Sequence, residues 1–402
     1  LTGGAGNDTI TTNTGTDTVT AGAGNDTVNV DNALSAGDVI AGGDGTDTLA
    51  IDALATAATA ASVSGFEILR YDTGALGAQS MANFTANAGF TTIDANVAAL
   101  VTTSNATDTV TTLRSTTTGG SHTLTRLIDS SGDSITVEAD TSGNDATVFA
   151  ALTLNDEESI TLTSGSHTDE DLTVTTLTSS DLTTLTLTGT ADAIITNAIA
   201  SATSLATVTA TGLTGATTVN ATNSTVDMTM TAGNGGSTFT SGSGDDTITG
   251  GTGVDVLTGG TGKDTISAGA GADTTIDGGA GADTLTGGGG DDNFVMTITQ
   301  GVSATSMIDN STGNAIAATV VIAAGDQVVF GNGVDVITDF VAGTDSITTC
   351  AAGAALTGIG VSNTVLAAAD DVLFFSGAFN TSTNRFTIAA AGTGARSARP
   401  SP

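Results

Sequence analysis

Cysteine occurs once in the 402 residues, at Cys350, so no disulfide can form within the chain. A lone cysteine of this kind reads as a small buried hydrophobe. Tryptophan is absent, tyrosine occurs once, proline twice, and aromatic residues make up 3%. That composition argues against an ordinary globular enzyme and against an aromatic-lined sugar cleft, and favours a thin core of small β-branched residues. Basic residues are nearly missing too, with 7 Lys+Arg against 42 Asp+Glu and a formal charge of −35. Such a field repels nucleic acid and anionic membranes and makes cations the natural partners. The longest apolar run, Ala315 to Ala324, is half of the roughly 20 residues that span a bilayer. There is no initiator Met and no amino-terminal signal peptide, so the chain reads as a carboxy-terminal piece of a longer protein. Neither HExxH nor GxSxG occurs, and His122 and His167 stand beside serine and aspartate only as often as chance allows. Disorder, the other outcome for an acidic, glycine-rich chain, is opposed by a 39% hydrophobic fraction and by alternations such as LTTLTLTG at Leu182 to Gly189.

What the chain has in abundance is glycine, 54 residues, and much of it is in phase with aspartate. Between Gly242 and Phe294 the pattern G-G-x-G-x-D-x-U-x, with U a large aliphatic or Phe, places Asp246, Asp255, Asp264, Asp273, Asp283 and Asp292 nine residues apart, with one spacing of ten. Five of the six have U two places later, and after Asp273 the apolar residue slips by one to Ile276. The same pattern opens the chain at Asp8, Asp17 and Asp26 and returns at Asp47. Six residues suit a turn and three a short strand. Glycines admit positive φ and let carbonyls point into the turn, while the strand alternates U inward and its neighbours outward.

Stacked turns of this kind predict an all-β fold, a right-handed parallel β-roll or β-helix solenoid. Between like loops lie two aspartates and several carbonyls, for example those of Gly251, Gly253, Gly260 and Gly262. A flexible all-oxygen cage of that sort suits Ca2+, whereas Mg2+ keeps its waters in a tight octahedron and zinc wants His or Cys.

The nonapeptide is similar to the signature repeat of the RTX proteins, bacterial proteins exported by the type I pathway. The resemblance implies calcium-dependent folding of two blocks, residues 1–50 and 231–300. Between them, 51–230 carries weaker Thr/Ala-rich repeats about 20 to 25 residues long, which predict a wider solenoid. The stretch SVSGFEILRYDTGA, Ser62 to Ala75, followed by Thr-rich strands, resembles surface-layer proteins of the Caulobacter type. Residues 301–394 resemble the region that follows RTX blocks and would carry the secretion signal. Within it Asp335, Asp339 and Asp345 are either one more calcium site or solvated turn acids, and Asp370 to Ile388 reads as a closing hairpin. The basic tail, 395–402, departs from such a signal and reads as an artefact of the sequence. The acidic clusters Asp156 to Glu158 and Asp169 to Asp171 read as solvated loop charge.

Together these features lead to the expectation of a non-enzymatic, extracellular structural protein whose calcium-loaded solenoid assembles into a two-dimensional lattice on the bacterial surface. Its partners would be further copies of itself, Ca2+ and, through a missing amino-terminal part, cell-surface polysaccharide, with no nucleic acid. The alternative is the calcium-binding tail of a secreted RTX adhesin, or of an enzyme or toxin whose catalytic domain is absent.

Overall fold

A computed structural model describes residues 1–296 except Asn32, 73–76, 116–118, 140–145 and 168, and beyond them 304–308, 327–330, 335–339, 346–349, 377–380 and 385–388. The chain winds as a β-solenoid of about 13 turns with almost no helix. One 15-stranded sheet runs from Thr9–Thr12 to Val336–Ile337. Against it lie a four-stranded sheet that starts at Thr2–Ala5 and then a 13-stranded sheet reaching from Ala78–Ser80 to Ser346–Thr349. Successive strands alternate between the two sides, and every pairing within these three sheets is parallel. Among the described residues a single 3-10 turn, Met81–Asn83, interrupts the strands.

The alternation expected from the sequence is what builds the core. In strands such as Thr184–Thr188 and Ser159–Thr163 the leucines and isoleucines are buried and the threonines and serine face out. Parallel register then stacks like on like. Ile135, Ile160, Leu185, Val208, Met230, Ile248, Ile266 and Leu285 form one inward column, each hydrogen-bonded neighbour directly above the last. One place to either side, facing out, run two hydroxyl columns. The first is Ser134, Ser159, Thr184, Thr207, Thr229, Thr247, Thr265 and Thr284, and the second runs from Thr136 to Thr286.

Turn length follows the repeat. Thr247 pairs with Thr265, 18 residues on, so two nonapeptides close one turn. In the middle of the chain Thr136 pairs with Thr161 and Thr209 with Thr231, turns of 25 and 22 residues, within the expected range. The one-residue slip after Asp273 is absorbed in the loop, where Thr274 N–H donates to the Asp255 carbonyl, and Ile276 still stacks on Leu257 inside the core.

After Met296 the chain leaves the solenoid and rejoins it. Val336–Ile337 adds to Thr284–Gly289, and Ser346–Thr349 adds to Asn293–Met296. A separate antiparallel sheet joins Ala304–Ile308, Gln327–Phe330, Arg385–Ile388 and Gly377–Asn380, the last two being the arms of the expected hairpin. Cys350, the run Ala315 to Ala324, Asp345 and the tail 395–402 lie outside the described residues.

The core predicts a sharp contrast between neighbouring positions on one strand. Leu185→Ala, which empties a fully buried site, should cost about 2–5 kcal/mol in calcium-loaded protein, whereas Thr186→Ala, facing out, should stay within about 0.5 kcal/mol. Urea unfolding at fixed Ca2+ checks the pair.

Candidate calcium sites

In each nonapeptide turn the aspartate closes the loop just before the strand, and stacking sets aspartate over aspartate. The link between them is a hydrogen bond from main chain to carboxylate. Asp246 N–H donates to Oδ1 of Asp264 at 2.8 Å, Asp264 to Asp283 at 2.8 Å, and Asp283 to Asp335 at 3.1 Å. On the other side of the roll Asp255 donates to Asp273 at 2.9 Å and Asp273 to Asp292 at 3.0 Å. The first block repeats this arrangement, Asp8 to Asp26 at 2.7 Å, Asp26 to Asp47 at 2.8 Å and Asp17 to Asp38 at 2.9 Å. One carboxylate oxygen is thereby satisfied.

The second oxygen is taken up by a main-chain N–H in Asp255, from Gly251 at 2.9 Å, and in Asp38, from Ser35 at 2.7 Å, but not in seven others. Oδ2 of Asp8, Asp26, Asp47, Asp246, Asp264, Asp273 and Asp283 is buried without a hydrogen-bond partner. Its surroundings explain the first glycine of the motif. A Cβ at Gly259 would fall against both Asp264 Oδ2 and the carbonyl of Gly278 in the next turn. At Gly250 it would meet Asp255 Oδ2 (2.6 Å) and the Ala268 carbonyl, and at Gly3 and Gly42 the pairs are Asp8 with Ala21 and Asp47 with Gly65. Each such cradle gathers a carboxylate oxygen and a carbonyl oxygen around a space that only a missing side chain leaves open. The glycine at the fourth position has a different reason: Gly262 sits at φ +134°, and a Cβ there would collide with the Gly244 carbonyl of the turn below.

The orphaned anionic oxygens, the carbonyls beside them and the absence of nitrogen or sulfur donors fit a hard cation held at about 2.3–2.6 Å. Among the described residues no three acidic, His or Cys side chains converge, so carboxylates meet only in stacked pairs and main-chain carbonyls must complete any coordination shell. The carbonyls of Gly251, Gly253, Gly260 and Gly262 face the glycines of the next turn, and those of Gly251 and Gly260 already accept N–H groups from Ala270 and Ala280.

Burial shifts the acid chemistry of these carboxylates. Desolvation pushes Asp264 up to about 7, with the Asp283 and Asp246 charges adding to the rise and the Asp246 N–H opposing it. Asp273 and Asp335 rise to about 6, also chiefly through burial, and Asp246, Asp255 and Asp283 rise for the same cause.

Several members of the ladder escaped the nonapeptide pattern. Asp38 receives the Asp17 N–H, and Glu67 receives the Asp47 N–H at 2.8 Å through Oε2. Both stand two places before a buried aliphatic, Ile40 and Leu69, so the acid-x-aliphatic phase was the signal that could have found them. Asp335 also stands in the ladder, and Asp339 accepts the N–H groups of Gly287 and Gly288 at 2.9 and 2.7 Å.

The acidic clusters of the middle segment are only in part the solvated loop charge expected of them: Asp169 is exposed, but Glu157 and Glu170 are buried. Glu157 is buried and paired with the buried Arg126, at 2.7 Å from Nε and 2.9 Å from Nη2, and desolvation raises its pKa to about 6. Asp156 accepts the Arg126 N–H, Glu158 the Asp133 N–H, and the buried Glu170 the N–H groups of Ser166 and His167. His122 lies in the core with Nε2 3.2 Å from Thr103 Oγ1, its Nδ1 has no hydrogen-bond partner among the described residues, and its pKa is lowered to about 3 by burial.

Repetition, stacking and orphaned oxygens define a calcium-binding β-roll. Residues 1–31, 34–50, 240–274 and 275–295, roughly a quarter of the chain, match the RTX calcium-binding nonapeptide repeat. Repeats of this family bind Ca2+, form a structural rather than catalytic element, and generally occur in secreted, extracellular proteins. No curated protein matches the chain.

The raised carboxylates give the metal-free protein a definite pH response. A group whose folded pKa exceeds its unfolded value binds more protons when folded, so its stabilising effect is complete below about pH 4 and is lost as pH rises through about 6–7. In EGTA the RTX block should therefore melt at a lower temperature at pH 8 than at pH 5. With saturating Ca2+, which takes the place of the protons, the order should reverse. Thermal scans by circular dichroism at the two pH values test both statements.

Proposed function

We propose that the orphaned aspartate oxygens hold Ca2+ between stacked turns, and that the calcium-loaded chain is a structural protein of a bacterial surface layer. The ligands would be the carboxylates of Asp8, Asp17, Asp26, Asp47, Asp246, Asp255, Asp264, Asp273, Asp283 and Asp292, with turn carbonyls such as those of Gly251, Gly253, Gly260 and Gly262. Carbonyls of Ala21, Gly65, Ala268 and Gly278 line the same cradles. The observation that carries this reading is the recurrence of one buried, unpartnered Oδ2 in turn after turn of both blocks.

The chain divides functionally on this view. Turns of residues 1–50 and 231–300 depend on calcium, whereas 51–230 fills its turns with its own donors. Arg126 gives Nη1 to the carbonyls of Thr107 and Val110 and Nη2 to that of Ser134, while the Gln79 and Asn87 amides each pair with the main chain of Ala55 and Phe66. Residues 301–394 would carry the type I secretion signal.

Electrostatics connects the ions to a lattice. With −35 formal charge, copies repel one another, and about six bound Ca2+ neutralise only about 12 charges, so close packing in a sheet calls for further cations between copies. Screening by Na+ acts over a Debye length of about 8 Å and does not distinguish cations, whereas shared sites do.

Two outcomes are expected. Limited proteolysis in EGTA should destroy 231–300 first and leave a resistant fragment spanning much of 51–230; equal resistance of the two segments, with and without chelator, would sink the ligand assignment. Electron microscopy of the full chain in Ca2+, Mg2+ or NaCl at matched ionic strength should show ordered sheets with Ca2+ alone. A folded, calcium-loaded protein that stays monomeric in every case would instead point to the tail of an RTX adhesin, enzyme or toxin.

A further inference from the structure

The outward face of the long sheet between Ser134 and Thr286 differs from the rest of the surface. Over eight consecutive turns both outward columns hold only threonine or serine, as in the neighbouring triplets Thr207-Val208-Thr209, Thr229-Met230-Thr231 and Thr247-Ile248-Thr249. No charge interrupts the two columns, although the chain carries 42 acidic residues; Glu138 stands beside them on the first strand alone, and its place is taken by Thr163 and Thr188 in the next two turns. None of these side chains is buried, and among the described residues only the Thr286 hydroxyl has a protein partner, Thr338 at 2.8 Å. The opposite sheet has no such order: its outward column passes through Ile194, Thr218, Thr238 and Val256, and Asp277 and Val295 stand beside it. Strand propensity alone would fill both faces alike.

Parallel register makes the hydroxyls a lattice. Neighbouring turns stand about 4.8 Å apart and residues i and i+2 about 6.6 Å apart, so the face presents oxygens and methyl groups on a two-dimensional net roughly 34 Å long. A protein partner would be anchored by aromatic, arginine or large apolar side chains, and this net has none. A crystalline polysaccharide would be met by aromatic platforms, and an ionic mineral by charge. A periodic, neutral surface of hydroxyls and methyls complements a periodic, neutral array of water, whose oxygens in hexagonal ice repeat at comparable distances.

We propose that this face binds the surface of ice, the hydroxyls hydrogen-bonding lattice waters while the methyls hold the waters between them in place. The assignment stands on the register of the sheet and is independent of the surface-layer reading. Calcium enters only by keeping the last turns, from Thr247 to Thr286, in line.

The test is ice-affinity partitioning of the full, calcium-loaded chain, with an inert protein of similar size as the reference. The wild-type chain should concentrate in slowly grown ice. Thr209→Lys and Thr231→Lys, which raise a long charged side chain out of the net, should lower incorporation by about tenfold, while Thr240→Lys on the opposite sheet should leave it unchanged. Circular dichroism in Ca2+ confirms that all three variants are folded. Exclusion of the wild-type chain from ice overturns the proposal, as does equal incorporation of the array variants and the Thr240 control. Retention on crystalline cellulose or chitin without incorporation into ice would reassign the face to polysaccharide.

Discussion

A carboxylate buried against another carboxylate is the constraint from which the rest of this structure follows. In the second block buried aspartates take an N–H on one oxygen from the preceding turn, and in Asp246, Asp264, Asp273 and Asp283 the other oxygen has no partner. Burying an unpaired charge costs more than an isolated turn can offset, so the group either takes a proton or meets a cation. The rise of Asp264 to about 7 is the first response, and the open cradle at Gly259 makes room for the second. The glycines, the 18-residue turn and the tolerance of a disulfide-free chain all serve that arrangement.

The same two-sheet frame is closed in two ways along its length. At both ends of the described solenoid, turns gather anionic oxygen around spaces without side chains. In the middle, longer turns bring in guanidinium and amide donors, and Arg126 stands among three carbonyls and the Glu157 carboxylate, an environment similar to that of a bound cation. A continuous ladder of inward aliphatics joins the two kinds of turn, so loss of cations at one end need not unravel the other.

Charge and neutrality are also separated in space. Acidic residues concentrate in the turns, and on the long sheet Arg70, the buried Asp94, Arg114 and Glu138 stand in one register column that ends on the first strand of the hydroxyl array. Beyond it the sheet surface becomes neutral and periodic. Turns that collect cations and a face that carries none are surfaces suited to different partners.

The sequence alone was enough for whatever repeats locally. A period of nine with an aliphatic two places after each aspartate specifies a turn, a strand, an inward side and an oxygen-rich loop, so the β-solenoid, Ca2+ as the ion and the 20- to 25-residue turns of the middle segment were legible in advance. Contacts between turns were not, because they depend on which residues 18 to 25 positions apart come into register. Asp38 and Glu67 carry a local signal, an acid two places before an aliphatic, but tertiary structure alone decided which aspartate each one meets, that the chain returns after Met296 to bring Asp335 over Asp283, and that Glu157 is buried against Arg126. It alone aligned Thr207, Thr229 and Thr247, drawn from turns of unequal length, into one column. A periodic motif fixes the direction of a side chain through its own backbone; its neighbour in the next turn is fixed only when the intervening loop has closed.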